Sequence, residues 1–163
     1  MADDQFSTAE DEMKLWFVFY RTAYAIKRNR ERELSKYGVT WIQAAVLLAI
    51  QKAEEPPTPT EIARRLFRQV HTISELLKRM ENQNLVKRVK DLKKKNVIRI
   101  LLTSEGKKIL AKTHQTQVVH EIFSVLPKEK QKILLESMIP LYNKSVEALN
   151  LSYTESLPDF LIM

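Results

Sequence analysis

The chain has 163 residues, 44% of them hydrophobic, no cysteine and a formal net charge of +7, which suits one compact unit or two small subdomains with a buried core and argues against disorder. The missing thiols exclude disulfides, thiol redox sensing and cysteine-based zinc sites, and with Gly38 and Gly106 as the only glycines there is no glycine-rich phosphate loop. The longest apolar run, Ala44 to Ile50, falls far short of the roughly 20 residues of a membrane span, and Asp3, Asp4, Glu10, Asp11 and Glu12 are the opposite of a basic signal-peptide start, so a cytoplasmic location is expected.

Ser7 and Glu10 have the spacing of a capping box, in which each side chain bonds the other residue's backbone amide. Behind it Met13, Trp16, Phe17, Tyr20, Tyr24 and Ile26 keep helical spacing to about Leu34, and Gly38 is the expected stop. A second box, Thr40 with Gln43, opens a helix through Ala44 to Gln51, which Pro56 and Pro57 follow. A third, Thr58-Pro-Thr-Glu61, adds proline at the first helical position and carries Ile62, Ala63 and Leu66 inward. Phe67-Arg-Gln69 reads as a tight turn. The next helix spans about Val70 to Gln83 with Ile73, Leu76, Leu77 and Met80 buried, and Asn84 suits a left-handed helix end.

Leu85 to Lys90 and Val97 to Leu102 read as two strands, the second alternating Ile98, Ile100 and Leu102 with Val97, Arg99 and Leu101. Asp91 to Asn96 forms their exposed tip. Thr103 caps a long helix to about Val125, and Pro127 starts another to about Leu149, in which Pro140 should produce a kink. The expected fold is therefore mainly α with a small β-hairpin wing: a winged helix-turn-helix core at 39–106, wing at about 85–102, flanked by an N-terminal helix at 1–38 and C-terminal helices at 107–163.

Charge is concentrated in that core. Between Arg64 and Lys108 fourteen basic residues face four acidic ones, giving +10 and leaving −3 for the rest of the chain. A basic middle between mildly acidic ends is the footprint of a polyanion partner, since neutralising phosphates releases counterions. The major groove of duplex DNA admits one α-helix, whose first residues reach base edges while the preceding helix braces the backbone. The candidate readers are accordingly Gln69, His71, Thr72, Ser74 and Glu75. Lys78 and Arg79, one turn on, suit phosphates, and Thr60 on the bracing helix and Arg68 in the turn join the candidate DNA-binding set. Lys93, Lys94 and Lys95 at the wing tip suit a minor groove whose narrow A·T segments concentrate negative potential.

The strings Thr60-Glu-Ile-Ala-Arg-Arg-Leu66 and Thr72-Ile-Ser-Glu-Leu-Leu-Lys-Arg-Met-Glu-Asn-Gln-Asn-Leu-Val86, with Arg88, Asp91 and the Leu102-Thr-Ser-Glu-Gly106 exit from the wing, resemble the MarR family of transcriptional regulators. The resemblance covers almost the whole chain. It implies a two-fold dimer formed through the terminal helices, and a repressor released by small anionic or phenolic ligands. Similar proteins usually carry glycine where Phe67 and Asn84 stand and a basic residue at Glu75; their wing tip reads Asp-x-Arg-Arg, where this chain has Lys94, Lys95 and Asn96 after Asp91. The departure at the tip implies a lost wing salt bridge, a looser wing and a steeper salt dependence.

Other readings attach to the same residues. A lysine-rich hairpin also blocks edge-to-edge strand pairing, and Glu75 has an i,i+4 partner in Arg79. Trp16, Tyr20 and Tyr24 form a helical stripe that, with Trp41, suits either a ligand pocket or a core or dimer face. His114 and His120 stand on different sides of one helix, so no metal is expected. No catalytic constellation stands out, and neither an enzyme nor a cofactor is expected. The reading that results is a homodimeric DNA-binding regulator of a pseudo-palindromic duplex, with a small-molecule effector; the alternatives are a winged-helix module for protein or for RNA.

Overall fold

The computed structural model describes residues 9–91, 96–113 and 117–149. Its elements run α1 (Ala9–Ser35), α2 (Trp41–Gln51), α3 (Pro59–Arg65), α4 (Val70–Asn82), β1 (Val86–Lys90), β2 (Ile98–Leu102), α5 (Ser104–Thr113), α6 (Gln117–Phe123) and α7 (Lys128–Ala148). Ser7, Lys93 to Lys95, His114 and the apolar C-terminal stretch lie outside the described residues. Among the described residues no helix is long and apolar enough to cross a membrane.

Local chemistry places most of these boundaries. Gly38 stands at φ 70 beyond α1, where a side chain would be strained. Both capping boxes close: the Gln43 amide donates to Thr40 Oγ1 at 3.3 Å and the Thr40 amide to Gln43 Oε1 at 2.9 Å. At α3 the Glu61 amide donates to Thr58 Oγ1 at 3.2 Å and the Thr58 amide to Glu61 Oε2 at 2.6 Å. The turn between α3 and α4 puts Phe67 at φ 50, and the end of α4 puts Asn84 at φ 56. Both are left-handed positions that cost a side-chain-bearing residue about 1 kcal/mol or more.

The core is the winged helix itself. Ile62 and Ala63 of α3, Ile73, Leu77 and Met80 of α4, Val46 and Leu47 of α2, Val86 of β1 and Ile100 of β2 are buried together, and Leu34 joins them from the end of α1. β1 and β2 pair antiparallel with Val86 opposite Leu102, Arg88 opposite Ile100 and Lys90 opposite Ile98. The Ile100 amide also donates to the Pro57 carbonyl at 2.8 Å, which ties the wing to the loop before α3. At the wing exit the Gly106 amide donates to Thr103 Oγ1 at 3.0 Å. Gly106 sits against the start of the wing so closely that a Cβ there would lie 2.0 Å from the Leu85 carbonyl oxygen.

The segment expected as one helix from Thr103 to Val125 is described as α5 and α6 on either side of residues 114–116, which lie outside the described residues, and α1 makes polar contacts with both. Arg30 donates to the Thr113 carbonyl and pairs with Glu33, while Glu33 Oε1 accepts the Val118 amide at 3.3 Å. α7 runs through Pro140 as one element.

Candidate nucleic-acid interface and adjoining cleft

α4 presents three distinct sides around its circumference, at about 3.6 residues per turn. Its inner side is the buried set Ile73, Leu77 and Met80. His71, Glu75 and Lys78 stand opposite, all exposed. His71 Nε2 lies 3.3 Å from Thr72 Oγ1. Gln69 is the N-cap residue of α4, exposed, with no capping bond from its side chain. Thr60 is exposed on α3.

The flank of α4 toward the wing is fixed by Arg88. Its guanidinium donates to the Ser74 carbonyl at 2.9 Å and its Nε lies 3.5 Å from Glu81 Oε2, while its backbone amide donates to Glu81 Oε1 at 3.0 Å. Ser74, half-buried, therefore stands beside the wing and not on the outermost line of the helix.

The wing has its own anchor, contrary to the expectation of a lost salt bridge. Arg99 Nε bonds Asp91 Oδ2 at 2.7 Å, and Arg99 Nη1 reaches the Pro56 carbonyl at 3.1 Å and Glu61 Oε2 at 3.6 Å. Asp91 supplies the acid from the strand end even though the tip sequence differs. The Asp91 hydrogen bond holds the Arg99 guanidinium in its charged form, raising its pKa. The carboxyl of Glu61 is lowered below its usual value: the Thr58 amide bond is the largest cause, burial opposes it, and the Thr58 hydroxyl, Arg99 and Arg65 add to it.

The remaining flank of α4 lines a cleft of about 660 Å³ shared with the end of α1 and the start of α2. Thr72, Leu76, Arg79 and Gln83 come from α4, Arg68 from the turn, Thr40, Trp41, Ile42 and Gln43 from the α2 start, and Lys27 and Glu31 from α1. Gln43 Nε2 donates to Gln83 Oε1 at 2.6 Å across its base, and Lys27 pairs with Glu31 at 3.7 Å. Among the described residues no hydrogen bond or ion pair engages the side chain of Arg68 or Arg79. The Glu75–Arg79 pair anticipated from their spacing is not formed, because Arg79 lies on the cleft flank and Glu75 on the outer side.

Of the four aromatic residues expected to line a pocket, Trp41 lines this cleft, and Trp16, Tyr20 and Tyr24 lie away from it on α1. Trp16 and Tyr20 stack with ring centroids 5.7 Å apart on α1, and with Tyr24 they are more than half exposed. Spacing showed the stripe but not the direction it faces. Among the described residues no cluster of histidine, aspartate or glutamate could hold a metal ion.

A model of the MarR family matches residues 37–95, a span that runs from just beyond α1 through α4 into the wing. Over that span the chain is similar to the MarR family. Its fold, mainly helical with a two-stranded antiparallel hairpin, is the MarR-type winged helix. The transcriptional regulator SarZ of Staphylococcus epidermidis is 28% identical over 138 residues, covering 82% of this chain and 93% of that protein. Among solved structures, the ligand-free organohalide-sensing regulator RdhR superposes with a TM-score of 0.78 at 24% identity, covering 97% of this chain and 94% of its own. RdhR is also known with 2,4-dichlorophenol bound, at a TM-score of 0.77 and 22% identity over 97% and 96% of the two chains. Staphylococcus aureus MepR in complex with DNA superposes with a TM-score of 0.71 at 21% identity, covering 78% of this chain and 96% of that one.

Proposed function

We propose that this chain is a MarR-family DNA-binding regulator, a cytoplasmic homodimeric repressor that places one α4 from each protomer in consecutive major grooves of a pseudo-palindromic operator. The observation that carries the reading is the layout of α4: an outer side of His71, Glu75 and Lys78, with the wing fixed beside it by Arg88. Gln69, Thr72 and Ser74 complete the reading set at the helix start, Lys78, Arg79, Arg68 and Thr60 serve phosphates, and Lys93 to Lys95 carry the tip charge. Dimerisation is supported by the terminal helices. Met13, Trp16, Phe17 and Val18 of α1, and Ile133, Leu135 and Leu141 of α7, are all at least 49% exposed, large apolar side chains that a second protomer would cover. Release by a small aromatic or anionic effector is supported by the cleft beside α4 and by the bound phenol in RdhR.

Selection of bound sequences from a random duplex pool, followed by footprinting, tests the reading. Two symmetric half-sites about 10 base pairs apart are expected. Lys78→Ala and Lys94→Ala should weaken all duplexes alike, whereas Glu75→Gln, Thr72→Ala and Ser74→Ala should change which sequence is preferred. A single asymmetric footprint, no duplex binding at low salt, or preference for structured RNA would refute it.

A further inference from the structure

We propose that Glu75 determines base choice at one position of each half-site: its carboxylate accepts a hydrogen bond from the amino group of a cytosine and disfavours the other three bases there. The inference rests on the DNA reading above and deepens it by naming the base. α4 is held on three sides, by the buried Ile73, Leu77 and Met80, by Arg88 donating to the Ser74 carbonyl at 2.9 Å, and by Gln43 Nε2 donating to Gln83 Oε1 at 2.6 Å. These contacts set the rotation of the helix about its own axis. Glu75 consequently stands exposed on the outer side, one turn after His71 and one turn before Lys78. The other carboxylates of α3, α4 and the wing are engaged, Glu81 by Arg88 and both Asp91 and Glu61 by Arg99. Among the described residues no hydrogen bond or ion pair engages that of Glu75.

The groove's own chemistry selects the base. An ionised carboxylate only accepts hydrogen bonds, and the major groove offers it two donors, the amino groups of adenine and cytosine. The adenine amino group lies between two acceptors, its own N7 and the thymine O4, so a carboxylate meets lone pairs on both sides of it. The cytosine amino group has guanine O6 on one side and the C5–H edge on the other, which leaves a carboxylate an approach free of acceptors. Guanine and thymine present acceptors alone. Glu75 is therefore attracted at one base and repelled to differing degrees at three, so discrimination comes from the penalty as well as from the contact.

The test uses the full-length chain and the duplex selected from the random pool. A cytosine is expected at one fixed position of both half-sites. Replacing it in one half-site by N4-methylcytosine keeps the pair with guanine, because the remaining N–H serves the pair and the methyl group takes the groove-facing place. Anisotropy titrations should show this duplex bound about tenfold more weakly. Glu75→Ala, an exposed helix position where alanine is well tolerated, should bind the methylated and unmethylated duplexes equally. The same variant should bind duplexes carrying adenine, guanine or thymine at that position more tightly than the parent chain does. A circular dichroism melt of the variant confirms its fold.

Half-sites without a fixed cytosine, a methyl effect that persists in Glu75→Ala, or an alanine variant that binds the other three duplexes no better than the parent would overturn the proposal and leave the DNA reading standing. Absence of duplex binding at low salt would overturn the DNA reading and this inference with it.

Discussion

Replacing Gly106 by alanine tests the packing on which the wing depends. Gly106 lies in the first turn of α5, where its amide is bound by Thr103 Oγ1, and a Cβ there would lie 2.0 Å from the Leu85 carbonyl oxygen. That oxygen also accepts the Thr103 amide at 3.2 Å, so it cannot turn aside without losing a bond. Relief requires α5 to move away from the start of β1, between the buried side chains of Leu85 and Leu110. Overpacking of this kind costs about 1–3 kcal/mol, and a broken backbone bond about 1 kcal/mol more. The better helix propensity of alanine returns roughly 1 kcal/mol. The net expectation is a destabilisation of about 1–3 kcal/mol, a fall in Tm of roughly 2–12 °C at this chain length. Urea and thermal melts followed by circular dichroism, at one fixed protein concentration because dimerisation adds stability, measure it. An unchanged or raised Tm would show that propensity dominates and that the close approach of α5 to β1 is not a constraint.

Three further outcomes are expected. Phe67 meets Tyr142 of α7 edge-on, with centroids 6.0 Å apart, so a double-mutant cycle of Phe67→Gly and Tyr142→Ala should give a coupling of about 0.5–1.5 kcal/mol; zero coupling would leave the left-handed Phe67 without the compensating contact read here. The lowered carboxyl of Glu61 binds its proton less readily in the folded chain than in the unfolded one, so its contribution is present at neutral pH and is lost as pH falls through the folded value. Glu61→Gln should therefore be less stable than the parent at neutral pH, with the gap closing in acid; a pH-independent gap in urea melts would contradict this. Glu33→Ala leaves the guanidinium of Arg30, whose side chain is 15% exposed, without its carboxylate, and should lower stability by about 1–3 kcal/mol, whereas Arg30→Met with Glu33→Leu should recover most of the loss in thermal melts.

What was legible in the sequence was local. Thr40, Thr58 and Thr103 act through bonds that span three residues, so their capping signatures read directly as helix starts. Asn84 likewise announced its left-handed backbone, and the positive-charge excess marked the winged core before any element was placed. The misses are all non-local. Arg30 and Glu33 meet the Thr113 carbonyl and the Val118 amide from more than eighty positions earlier, a contact that no local pattern announces. Asp91 could be paired with Arg99 only once the hairpin register was known. Lys27 and Glu31 stand four positions apart on α1, but nothing in that spacing sets them beside Arg68 and Arg79.

The layout of α4 also explains how a strongly basic segment can present a nearly neutral reading surface. Its outer side balances Lys78 against Glu75, with His71 between the two in space, while Arg79 and Arg88 lie on opposite flanks. On the proposed docking, attraction to phosphates comes from Lys78, the flanks and the wing, while His71 and Glu75 face the base edges and add no positive charge there. The carboxylate of Glu75 is then a cost on most sequences, since the groove offers mainly acceptors and is bordered by phosphates. That cost is offset only where a cytosine amino group meets it, a contact of about 1–3 kcal/mol. A repulsive group that one base relieves gives discrimination by penalising every other base, which an added lysine at the same position could not do.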